Sequence, residues 1–124
     1  MAKARFYGSP VKIKVIGLGG CGCNAVTHMV RENIRGVDFI AMNTDRQSLV
    51  LNEAPTRLQL GRSVTKGHGA GGDHELGRKA AEESSDQIAS LVFGTDMVFI
   101  TCGMGGGTGT GAAPVVAEIA RKTG

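Results

Sequence analysis

The 124 residues carry 14 basic and 11 acidic side chains, a net charge of +3, and 4% aromatic residues with no tryptophan, which allows one domain with a modest aliphatic core. The basic residues are spread along the chain and form no block, which speaks against nucleic acid as a partner. No apolar run reaches the ~20 residues of a membrane helix, so no direct membrane insertion is expected, and three cysteines without CxxC spacing or a secretory leader fit a reduced, cytoplasmic setting.

Residues 1–10 lack periodicity and read as a flexible N-terminal arm. Residues 11–16, VKIKVI, alternate Val11, Ile13 and Val15 with Lys12 and Lys14 and predict the first strand. GLGGCGCN at 17–24 then opens a helix whose buried face is expected to be Ala25, Val26, Met29 and Val30. Gly36 closes that unit and 37–43 supplies the second strand. Asn43, Thr44 and Asp45 follow that strand and are placed to cap a short helix carrying Leu49, Val50 and Leu51, which must end before Pro55.

Residues 57–60 predict a short edge strand, and 61–72, containing HGAGG, a long irregular connection of the kind that is usually functional or mobile. Asp73 caps a single helix expected over 75–92, ended by Gly94. DMVFIT at 96–101 reads as a buried strand. GMGGGTGTG follows at 103–111, and then a helix over 112–122 with Pro114 in its first turn and Gly124 as its C-cap.

Short turns between alternating strands and helices imply an α/β fold, a Rossmann-like three-layer parallel sheet with strand order 3-2-1-4. In that order the glycine turns after strands 1 and 4 share the carboxyl rim, where such sheets bind ligands. Glycine is the telling residue. There are 20, about twice the usual ~7%, and fourteen of them fall in 17–24, 67–74 and 103–111. None of these segments holds a lysine or arginine, and GxxxxGK[ST] is absent. A phosphate bound there must rest on main-chain N–H groups, helix dipoles and a cation such as Mg²⁺. Thr108 and Thr110 add hydroxyl donors.

A rival from another class rests on GLGGCG at 17–22, which satisfies the dinucleotide fingerprint, with Asp45 following Gly22 by 23 residues where a ribose-binding acid belongs. That is an NAD(P)-binding domain of an oxidoreductase. It leaves GGGTGTG and HGAGG without a purpose.

GGGTGTG at 105–111 resembles the signature of the tubulin/FtsZ GTPase family, and 11–124 resembles the N-terminal half of the nucleotide-binding domain of its bacterial members. The resemblance implies GTP or GDP with Mg²⁺ as ligand. Gly20, Cys21, Gly22, Cys23 and Asn24 match the first phosphate and nucleoside loop, and Asn43, Thr44 and Asp45 a loop near the metal and terminal phosphate. Ala70, Gly71 and Gly72 match the loop that senses the γ-phosphate. Gly107, Thr108 and Gly109, with Gly103, Gly105 and Gly106, match the signature turn around the α- and β-phosphates. It further implies self-association into polar filaments with full-length subunits, other division proteins as partners, and a place at the mid-cell division site. Catalysis needs acidic residues on a loop of the next subunit, so no catalytic residue is expected here. Cys21, Cys23, His68 and His74 depart from the family's usual residues. Cys23 is expected to be an inert small residue, and the two histidines to be solvated.

Overall fold

Parallel pairing builds the sheet outward from its first strand. A computed structural model describes residues 11–103 and 106–123, and the expected arm and the expected cap at Gly124 lie outside them. In chain order come β1 (Ile13–Leu18), α1 (Gly19–Arg31), β2 (Asp38–Asn43), α2 (Arg46–Leu51), β3 (Thr56–Gln59), α3 (Arg62–Thr65), α4 (His74–Glu83), α5 (Ser85–Val92), β4 (Met97–Cys102) and α6 (Gly107–Thr123). The four strands are parallel in the order β3-β2-β1-β4. This is the expected α/β layering with crossovers on both faces.

Alternation along β1 divides the core. Ile16 and Leu18 join Ile40, Met42, Leu60, Ile88 and Val116 on the face covered by α4, α5 and α6. Val15 joins Cys23, Val26, Phe39 and Leu49 on the face covered by α1 and α2. Every large member is aliphatic except Phe39, as the scarcity of aromatic residues requires.

Five features depart from expectation. β1 continues to Leu18, so Gly17 lies within the strand and α1 starts at once. On α1, Val26 is buried with Gly22, Cys23 and Thr27, while Ala25, Met29 and Val30 are half-buried. The helix expected over 75–92 is two helices. Its apolar period is continuous, but Ser84 turns its hydroxyl to accept the Gly61 N–H at 3.0 Å, and the Glu83 carboxylate accepts from Ser63 N and Val64 N at 3.1 Å each. Those bonds fasten the chain to α3, a turn of helix inside the segment expected to be irregular. The last helix starts at Gly107, five residues early, and takes in most of the signature, so Pro114 lies inside it. Contact with α4 outweighs the poor helix propensity of glycine here.

β4 is the fifth difference. It was expected to be buried, yet Met97 is 49% and Phe99 54% exposed, while Val98 and Ile100 pack on the α6 side. β1 is its one strand neighbour among the described residues.

Candidate functional site

β1 and β4 pair in register with Leu18 opposite Cys102, so the turns that leave them emerge side by side on the carboxyl rim. α1 and α6 both begin there. Gly19 has φ +73°, and a Cβ on it would lie 3.0 Å from the Gly109 nitrogen. A Cβ on Gly107 would lie 2.7 Å from Asp73 N and 2.9 Å from Gly72 N, backbone that cannot swing aside. One on Gly103 would meet Cys21 Cβ at 2.7 Å. The three glycine-rich segments, far apart in sequence, are therefore packed main chain to main chain, and absent side chains make that approach feasible.

Between them is a cavity of about 330 Å³. The entry to α1 contributes Leu18, Gly19, Gly20 and Cys21 to its wall, the connection before α4 contributes Gly71, and the signature turn contributes Gly103, Gly106, Gly107, Thr108 and Gly109. No charged side chain is among them. The first N–H groups of a helix have no partner within it. Elsewhere side chains occupy them: Asp45 accepts from Gln47 N and Ser48 N at the start of α2, and Asp73 from Glu75 N and Leu76 N at the start of α4. α1 has no such cap, its N-cap residue being Leu18. The opening turn of a 13-residue helix thus offers bare donors and partial positive charge to this cavity.

Of the residues expected to bind nucleotide, Gly20, Cys21, Gly71, Gly103, Gly106, Gly107, Thr108 and Gly109 meet at this wall. Gly22 instead faces the β4 main chain, where a side chain would collide with the Thr101 carbonyl. Cys23 and Asn24 line a second cavity of about 560 Å³, which shares Gly20 and Cys21 with the first and continues past Thr27, Arg31 and Ser48. Ala70 is buried, and Gly72 stands behind Gly107. Asn43, Thr44 and Asp45 are not on the wall of the first cavity. Asn43 Oδ1 accepts from Thr44 N at 2.8 Å and Asp45 N at 3.3 Å, and Thr44 is fully buried. Gly105 lies outside the described residues. Leu18 and Gly19 also stand on this wall, although the expected loop began at Gly20; the GLGG run that contains them was the available signal.

Burial pushes the Cys23 thiol up to about 11. Its sulfur donates to Met42 O at 3.3 Å and to Gly17 O at 3.5 Å, while Cys21 is exposed. Among the described residues no three His, Cys, Asp or Glu side chains are grouped to hold a metal ion, and none of their helices is long and apolar enough to cross a membrane. The nearby carboxylates, Asp45 and Asp73, serve as helix caps. A hard cation at this wall would have to be held by a ligand's phosphates and water, the usual manner of Mg²⁺.

The use of Asp45 as a cap also weakens the dinucleotide reading, since its carboxylate is turned to Gln47, Ser48 N–H and the Ser48 hydroxyl. Comparison with known proteins gives that reading no support. A family model described as the Tubulin/FtsZ family, GTPase domain, matches residues 12–124. The cell division protein FtsZ of Neisseria meningitidis serogroup A is 59% identical over 116 residues, 94% of this chain and 30% of that protein. The FtsZ of Coxiella burnetii is 58% identical over 113 residues, 91% of this chain and 29% of its own. The chain thus spans about 30% of the length of these curated relatives. Among solved structures, an empty FtsZ dimer from M. jannaschii superposes with a TM-score of 0.91 at 48% identity, covering 94% of this chain and 34% of that one. CetZ2 from Haloferax volcanii, a GTPgS-bound protofilament, gives 0.74 at 30% identity, covering 87% and 35%. Fold, rim and sequence agree, and the chain belongs to the tubulin/FtsZ family, within its GTPase domain.

Proposed function

We propose that this chain carries the phosphate-cradling half of the GTP-binding domain of a bacterial cell-division GTPase that assembles into polar filaments. The observation that carries the proposal is the uncharged glycine wall between the starts of α1 and α6. Main-chain donors on two helix N-termini suit a diphosphate or triphosphate. The GTPgS-bound protofilament of the CetZ2 relative and the division role named for the FtsZ relatives support guanine nucleotide as ligand and self-association as outcome. The Thr108 hydroxyl and the N–H groups from Gly20 to Cys21 and from Gly107 to Gly109 would hold phosphate oxygens. Mg²⁺ would enter on the phosphates and neutralise part of their charge. In a division GTPase this chain would act in the cytoplasm at mid-cell, alongside other division proteins.

Hydrolysis is assigned to the filament and not to this chain alone. Among the described residues no carboxylate lines the cavity to activate a water, which fits the family pattern in which a neighbouring subunit supplies the acidic groups. A micromolar nucleotide affinity corresponds to ~8 kcal/mol, and two or three base and ribose hydrogen bonds that the family makes outside the part spanned by this chain, at ~1 to 1.5 kcal/mol each, would raise Kd to between about 30 µM and about 2 mM. Titration of GDP with Mg²⁺ into the chain, followed by amide NMR, should shift Gly20, Cys21 and residues 106–109 first. Saturation by NADH but not GDP would overturn the assignment, as would GTP turnover above background by the purified chain for the claim that it cannot hydrolyse alone.

A further inference from the structure

Thr44 and Thr108, 64 residues apart in sequence, meet through their hydroxyls at 2.6 Å. Thr108 stands on the cavity wall, whereas Thr44 is fully buried behind it. The main chain of Thr44 is fixed on both sides: its N–H donates to Asn43 Oδ1 at 2.8 Å, and its carbonyl accepts from Thr65 Oγ1 at 3.5 Å. Its side chain thus has one polar task among the described residues, the contact with Thr108.

A hydroxyl has one proton and two lone pairs. If Thr108 donates to Thr44, an anion in the cavity faces a lone pair and is repelled. If Thr44 donates to Thr108, the Thr108 proton is free for the anion, and the bond it accepts polarises it further. We propose that Thr44 is a positioning residue: it donates to Thr108 Oγ1 and so commits the single Thr108 proton to a phosphate oxygen of a bound nucleoside diphosphate or triphosphate. Thr44 touches no ligand itself. The inference rests on the reading of the cavity as a phosphate cradle and adds to it a second, hidden hydroxyl on which the visible one depends.

The test is GDP affinity with excess Mg²⁺, read by amide NMR, for the unaltered chain and for Thr44→Val, Thr44→Ser, Thr108→Val and the double variant Thr44→Val with Thr108→Val. Loss of one charge-assisted hydrogen bond corresponds to roughly tenfold, so Thr108→Val should weaken binding by about that factor; Thr44→Val leaves Thr108 its proton but removes the bond that orients and polarises it, and should weaken binding by about threefold. Thr44→Ser should stay within about twofold of the unaltered chain, and the double variant should be no weaker than Thr108→Val alone, because one hydroxyl works only through the other. Losses that multiply in the double variant would overturn the proposal, as would Thr44→Ser binding as weakly as Thr44→Val, or Thr44→Val binding at full strength. Should Thr44→Val fail to fold, Thr44→Cys, a weak donor of nearly serine's size, takes its place: binding well below Thr44→Ser supports the proposal and equal binding overturns it. An unaltered chain that binds no GDP at about 10 mM, about fivefold above the upper end of the expected Kd, overturns the cradle reading itself. That result is distinct from a chain that binds normally with independent hydroxyls.

Discussion

Cys21 and Cys23 are two residues apart on one helix and meet different surroundings. Cys21 is exposed on the cavity wall; Cys23 points into the α1 and α2 core, 3% exposed, with its thiol raised from 9.0 to about 11 by burial. A folded-state pKa above the unfolded one means that the contribution to stability is complete below pH 9.0 and is lost as pH rises toward about 11. Comparing urea midpoints of the unaltered chain and Cys23→Ala should show their difference shrinking by about 2 kcal/mol between neutral pH and about pH 10.5. A constant difference would mean the thiolate is tolerated. That Cys23 would be an inert small residue followed from resemblance to a family that has small residues there, and not from the apolar pattern of α1, whose expected buried face began at Ala25. The bond between Thr44 and Thr108 could not be read from the sequence, because no periodicity links residues on different elements, and only the fold brings the ends of β2 and α6 together.

Elements were legible where their reasons were local. The caps at Asp45 and Asp73 and the stop at Gly94, with φ +75°, come from the chemistry of single residues beside an apolar pattern. The break between α4 and α5 was not legible, since its cause is a partner 23 residues away, the Gly61 N–H received by Ser84. Ser84→Ala would leave that buried donor without an acceptor and should cost about 1 to 3 kcal/mol, seen as a lower urea midpoint at unchanged slope. No loss would show that the break is set by packing alone. The start of α6 was misplaced for a related reason. Glycine after glycine reads as a loop, yet Gly107 lies where Gly72 and Asp73, just before α4, leave no room for a Cβ, and Gly111 where α4 itself leaves none, so the same residues that discourage a helix in isolation permit this one in place.

At the scale of the molecule, the sheet is covered unevenly. Both faces of β1 and β2 are packed, but β4 leaves Met97 and Phe99 open on the α1 side, with Phe93 74% exposed close by in the chain. An apolar run with β-branched residues reads the same whether one face is covered or two, so the sequence could not show it. An open apolar edge favours association. The chain should therefore scatter more light per mass as its concentration rises, and Phe99→Lys should reduce that rise. Equal scattering would place self-contact elsewhere.

Most anion pockets can be disarmed by deleting one cationic side chain. Here the donors proposed for the phosphates, apart from the Thr108 hydroxyl, belong to the main chain, and no substitution but proline takes those away. At the glycines harm must come from added bulk: at Gly107, alanine should hurt nearly as much as glutamate, because either pushes against Gly72 and Asp73. Tolerance in such a site tracks volume, so its variants should sort by size where those of a lysine-anchored pocket would sort by charge.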